Sequence, residues 1–177
     1  GLITSCIVLW YLCRDRNLSF GKVSDLVAPP ILLLQALVRF GNFMNGEVYG
    51  KPTGFVFGMI FRQGPAADQY PNTYIHPVML YEALLSILGY ILLSLINPNR
   101  FRNGFIAAAF LFIYSLIHLF SSHLSMPELT LFGISESMIS GVLGLLISGW
   151  LILTKKLYRN PGTTIKPAAK RKRRKRI

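Results

Sequence analysis

Arg39, Asn42, Asn45 and Glu47 fall within nine residues of the stretch "RFGNFMNGEVYG", directly after the apolar run "APPILLLQALV". An ionisable side chain at the end of such a run costs about 2.5–3.5 kcal/mol on insertion scales, so it faces a partner or a polar cavity. On a continuing helix, Asn42 lies one turn beyond Arg39, and Asn45 one turn beyond Asn42. A guanidinium can grip a phosphate with two parallel donors, and amides add neutral donors around it. Glu47 can orient Arg39, accept a proton or bind a hydroxyl. Gly41 and Gly46 permit close backbone approach or a helix break. The plainer reading of the same residues is a snorkelling arginine followed by a polar turn.

A second polar group opens the run "HPVMLYEALLSILGYILLSLI". Pro77 suits the first helical position, with His76 near the N-cap and Tyr81 and Glu82 one to two turns inward. A single glutamate in an otherwise apolar run asks for a partner, and Arg39 is the natural one. The plainer alternative is an interfacial His–Tyr belt with a purely structural Glu82–Arg39 bridge. A third histidine-bearing stretch, "YSLIHLFSS", carries Tyr114 and His118. A neutral imidazole there can act as a base toward a thiol, but it cannot replace a bidentate guanidinium. The favoured reading of His118 is a polar residue inside a span, hydrogen-bonded to Ser115 or Ser122.

The elements that must position these groups are membrane spans. The 177 residues are 52% hydrophobic and 15% charged, and the apolar residues cluster into runs long enough to cross a hydrocarbon core of roughly 30 Å. The expected fold is an all-α polytopic membrane helix bundle over residues 1–158. About five spans are expected, near 1–13, 23–45, 77–96, 104–122 and 135–154, with an extracytoplasmic loop region between the second and third. The stretch 1–13 is too short to span alone, lacks the basic region of a signal peptide and reads as the tail of a longer helix. Pro29 and Pro30 are expected to interrupt the second span, a break that membranes tolerate beside neighbouring helices or a cavity.

The net charge of +12 is concentrated at one end: from Lys155 onward there are eleven Lys and Arg and no acid, leaving eight basic against seven acidic residues elsewhere. The tail at 159–177 is expected to be disordered, cytoplasmic and drawn to anionic lipid head groups. Nucleic acid is the weaker partner for it. With the tail inside, the basic turns at 97–103 and 14–22 also fall inside, as the positive-inside rule requires. Residues 39–81 then lie at the outer face. Cys6 and Cys13 sit around 10 Å apart along one helix and read as packing residues. The three histidines show no zinc spacing, and neither a metal nor a cofactor is expected.

Taken together, the quoted motifs resemble those of the bacterial prolipoprotein diacylglyceryl transferases. The family pattern R-x-G-N-F-x-N-x-E is met at Arg39, Gly41, Asn42, Phe43, Asn45 and Glu47. The H-P-S-Q-L-Y-E pattern is met at His76, Pro77, Leu80, Tyr81 and Glu82. The resemblance implies an enzyme of the bacterial inner membrane. It would move the diacylglyceryl group of phosphatidylglycerol onto the lipobox cysteine thiol of a prolipoprotein, releasing glycerol phosphate. It implies Arg39, Glu47, Tyr114 and His118 as catalytic residues. The implied binding set is Arg39, Asn42, Asn45, Glu47, His76, Tyr81 and Glu82, with Glu47 holding the head group or Arg39 itself.

The departures from the family pattern are specific. His118 stands where the family carries an arginine, and Ser122 where it carries a glutamate. Ile75, Val78 and Met79 replace Arg, Ser and Gln around the second motif, Val38 replaces a glycine, and Glu136 a glutamine. An H-G-G-L motif is represented only by the opening "GLI". The alternative these departures support is an impaired fragment or paralogue that binds lipid without turnover. A membrane protein whose Arg39–Glu82 pair is purely structural is the reading from a third class.

Overall fold

The computed structural model describes residues 2–126, 130–131 and 134–158. The basic tail at 159–177 lies outside the described residues. Helix α1 covers Leu2–Asp15, α2 Phe20–Asn45, the short α3 Pro65–Gln69, α4 Val78–Ser94, α5 Phe105–Leu124 and α6 Glu136–Thr154. Between α5 and α6 the two-residue strands β1 (Thr130–Leu131) and β2 (Ile134–Ser135) pair antiparallel, Thr130 opposite Ser135. Helices α2, α5 and α6 are each long and apolar enough to cross a membrane, and α4 is a shorter apolar helix.

Large apolar side chains point outward along the helices: Leu26 is 77% exposed, Leu37 64%, Leu84 61% and Leu146 64%. A soluble protein rarely presents so continuous an apolar surface. In hydrocarbon the same surface is matched to its solvent, and the helices satisfy their own backbone groups. The molecule is a polytopic membrane helix bundle.

Helix α2 runs unbroken through Pro29 and Pro30, where the sequence suggests an interruption. The two rings remove the N–H donors that would serve the carbonyls of Asp25 and Leu26. In a membrane bundle the neighbouring helices support such a segment without ending it.

Small residues set the helix spacing. A Cβ on Gly89 would come within 2.8 Å of Ile113 and 3.0 Å of Leu32, so α4 is wedged between α2 and α5 at that level. On α6, Gly141, Gly144 and Ser148 are the buried residues, and a Cβ on Gly144 would collide with the Ser115 hydroxyl at 2.0 Å. Close approach at small residues is the usual basis of helix association where no hydrophobic drive exists between helices. The buried apolar core is Leu32, Leu93, Ile106 and Ile117.

The segment between α2 and α4 is tied down rather than loose. Ile75 exchanges backbone hydrogen bonds with Met59, and the His76 amide donates to the Lys51 carbonyl while the Gly50 amide donates to the His76 carbonyl. The far side of the segment is fastened to the end of α5. The Lys51 amide donates to the Leu124 carbonyl, and its ammonium donates to the His123 carbonyl at 3.0 Å, a favourable place for a cation at a helix C-terminus.

Candidate functional site

Two helices converge at the edge of this fastened segment. Arg39, near the end of α2, forms an ion pair through its Nε with the carboxylate of Glu82, near the start of α4. Their side chains are 17% and 3% exposed. A charge so far from water is tolerable only when paired. The Ser121 hydroxyl of α5 lies against the same carboxylate while donating to the His118 carbonyl. Three helices therefore meet at one polar layer. Among the described residues, no hydrogen bond engages the two terminal nitrogens of Arg39, which leaves the fork open to an incoming anion.

The "GNFMNGE" part of the first motif has a structural purpose in its own right. Gly46 adopts φ 68°, and its amide donates back to the end of α2. The amides of Gly46 and Glu47 donate to the carbonyls of Phe43 and Asn42, the two-bond pattern that closes a helix on a left-handed residue. A Cβ on Gly46 would also meet the Gln63 carbonyl at 2.6 Å. Because the chain turns off the helix there, Asn45 and Glu47 are exposed and Asn42 is half-buried. Glu47 therefore does not hold Arg39: of the ion pairs among the described residues, Glu82 is the one that does.

The second motif starts one residue later than its pattern suggests. Pro77 is the N-cap and α4 begins at Val78. The Val78 amide donates to the His76 carbonyl across Pro77, whose φ of −78° and ψ of 66° describe an inverse γ-turn. That turn fixes the His76 ring against Tyr81, with centroids 6.2 Å apart, and against Phe55 at 6.2 Å. Beside them runs an apolar groove of about 690 Å³, lined by Phe55, His76, Tyr81, Leu84, Leu88 and Phe120. The buried His76 Nδ1 and Tyr81 hydroxyl have no partner among the described residues.

The Tyr114 and His118 rings lie against each other on α5, centroids 4.3 Å apart and tilted by 45°. The Arg39 charge reaches both, and the Glu82 charge reaches Tyr114. The expected hydrogen bond from His118 to Ser115 or Ser122 is absent. The Ser115 hydroxyl donates to the Leu111 carbonyl and the Ser122 hydroxyl to the Leu119 carbonyl. Serine on a helix turns readily to the carbonyl a turn behind it. Both buried ring nitrogens of His118 consequently lack a partner among the described residues.

Gln35, Ser86, Ser121 and Asp25 belong to no motif in the sequence, yet the structure brings them to this polar layer or to its supports. Gln35 and Ser86 are lone polar residues in apolar runs, one turn inward from Arg39 and from Glu82. That spacing was the available signal. Among the described residues no group of three or more His, Cys, Asp or Glu could hold a metal ion.

The family model described as prolipoprotein diacylglyceryl transferase matches residues 1–154. The chain is similar to proteins named phosphatidylglycerol–prolipoprotein diacylglyceryl transferase. The one from Halalkalibacterium halodurans is 36% identical over 156 residues, covering 86% of this chain and 54% of that protein. The one from Finegoldia magna is 31% identical over 156 residues, covering 88% and 59%. The one from Legionella pneumophila is 33% identical over 154 residues, covering 86% and 53%. The chain thus spans a little over half the length of these curated relatives.

Proposed function

Since the chain belongs to the prolipoprotein diacylglyceryl transferase family, we propose that it takes part in transferring the diacylglyceryl group of phosphatidylglycerol to the lipobox cysteine of a prolipoprotein. The reaction takes place at the outer rim of the bacterial inner membrane. The observation that carries this reading is the Arg39 guanidinium, paired through its Nε with the buried Glu82 carboxylate, which leaves its terminal fork for an anion. The phosphate of the donor lipid docks on that end, with Asn42 and Asn45 as neutral donors and Glu47 toward the glycerol head. His76 and Tyr81 line the apolar groove that accepts the fatty chains.

In the transfer step the cysteine sulfur attacks the glyceryl carbon. A C–S bond forms, the C–O bond to phosphate breaks, and glycerol phosphate leaves with the electron pair. Arg39 stabilises the charge gathering on that leaving group. The thiol proton goes to His118, whose ring nitrogens have no partner among the described residues and whose ring rests against Tyr114. A base beside the nucleophile is what a thiol needs near neutral pH. The tail at 159–177 anchors the inner side to anionic lipid.

The test is mass spectrometry of a lipobox peptide incubated with phosphatidylglycerol and membranes containing the chain. A diacylglyceryl mass gain is expected, lost in Arg39→Ala and little restored in Arg39→Lys, because lysine offers a point charge without the fork. No mass gain with the unmodified chain overturns the transfer reading. Near-normal gain with Arg39→Lys overturns the phosphate grip.

A further inference from the structure

One helical turn beneath the Arg39–Glu82 pair lies a second polar layer. Its position follows from two contacts that bracket it. Arg39 meets Glu82 above, and Leu32 meets Gly89 below, within 3.0 Å of where a Cβ would stand. Moving seven residues back along α2 and seven forward along α4 joins these contacts, so the two helices run antiparallel in register. Gln35 and Ser86 occupy the level between. Helix α5 follows the same ladder, with Ser121 beside Glu82 and Ile113 against Gly89. His118 is therefore at the level of Gln35 and Ser86.

Every one of these three side chains carries buried polar atoms with no partner among the described residues: Gln35 Nε2 and Oε1, Ser86 Oγ, and both His118 nitrogens. Ser86 is 0% exposed. Leaving such groups unpaired inside a bundle is costly, and neither Gln35 nor Ser86 is needed to hold the ion pair above. A layer of unpartnered buried polar atoms at one level of three helices has the character of a ligand site.

We infer that Gln35 and Ser86 bind the ester carbonyls of the diacylglyceryl group and so select ester-linked over ether-linked lipid. The depth fits. A phosphate on Arg39 places the ester carbonyls a few bonds inward, about the 5.4 Å pitch of one helical turn. The chemistry fits as well. Ester carbonyls only accept hydrogen bonds, and Gln35 Nε2 and Ser86 Oγ are two donors for two carbonyls, with Gln35 Oε1 left to an accompanying water. Held at phosphate and esters together, the glyceryl carbon between them is fixed in place for attack, which is where positioning gains rate. The inference rests on the phosphatidylglycerol reading of the site above it.

The experiment is native mass spectrometry of the chain released from mixed micelles. They contain phosphatidylglycerol and its dialkyl-ether analogue with identical head group and chain length. The unmodified chain is expected to retain the diester at least about fivefold over the diether, the scale of one or two buried hydrogen bonds. Gln35→Leu and Ser86→Ala, both compatible with an apolar helix, bring that ratio toward one. Arg39→Lys weakens retention of both lipids while keeping the ratio. Equal retention of the two lipids by the unmodified chain overturns the ester inference and leaves the head-group grip standing. An unchanged ratio in both Gln35→Leu and Ser86→Ala overturns it too. Retention of neither lipid removes the inference and the head-group reading together.

Discussion

At the scale of single residues, the Arg39–Glu82 pair dominates. Breaking a buried pair by removing one partner strands the other charge and costs about 3–5 kcal/mol, whereas replacing both is often neutral. Arg39→Leu and Glu82→Leu are each expected to lower the unfolding midpoint in detergent, and the double variant to recover most of the loss. Fully additive losses would show that the two groups do not depend on each other. The pair was legible in the sequence because each charge stands alone in an apolar run, and two such charges at the same edge call for one another. The role of Glu47 was less legible. A motif read as letters gives no hint that its glycine ends the helix and turns the carboxylate outward. His118 shows the same limit, since nearby serines look like partners until their hydroxyls are seen to bond their own helix.

At the scale of elements, Asp25 is the least obvious contributor. Its carboxylate accepts from the Gly104 amide at 2.7 Å and the Ala107 amide at 2.8 Å. An acid on α2 therefore caps the start of α5, whose own N-cap is a glycine at φ 97°. Loss of a cap costs about 1 kcal/mol, and a carboxylate at a helix N-terminus adds to it. Asp25→Ala is expected to lower the thermal midpoint in detergent while leaving the diester-to-diether ratio unchanged; an unaltered midpoint would show that the cap is not stabilising. No local pattern discloses this cap, because the partners are 79 and 82 residues apart in sequence. Pro29 and Pro30 mislead in the opposite direction. They carry the strongest local signal for a break, yet packing from neighbouring helices carries α2 past them.

At the scale of the whole molecule, the bundle was readable from hydropathy, because hydrocarbon imposes its length requirement directly on sequence. The proposed orientation has a direct check. In a Cys6→Ser, Cys13→Ser background, Val56→Cys is expected to react with an impermeant maleimide added to intact cells. Asn99→Cys is expected to react only after the membrane is opened. Reversed labelling would invert the molecule and put Arg39 on the wrong side for secreted acceptors. The fastening of the 46–77 segment was not legible, since its backbone bonds join residues with no periodic signature.

That fastening shapes how material moves through the site. The segment is closed on itself by the Gly50–His76 bond just ahead of α4 and tied to the foot of α5 at Leu124 and His123. The apolar opening between Leu84, Leu88 and Phe120 lies on the flank. If the proposed transfer holds, traffic is expected to be sideways: donor lipid slides in from the leaflet, the newly tethered polypeptide slides out into it, and the small charged alcohol is left to water.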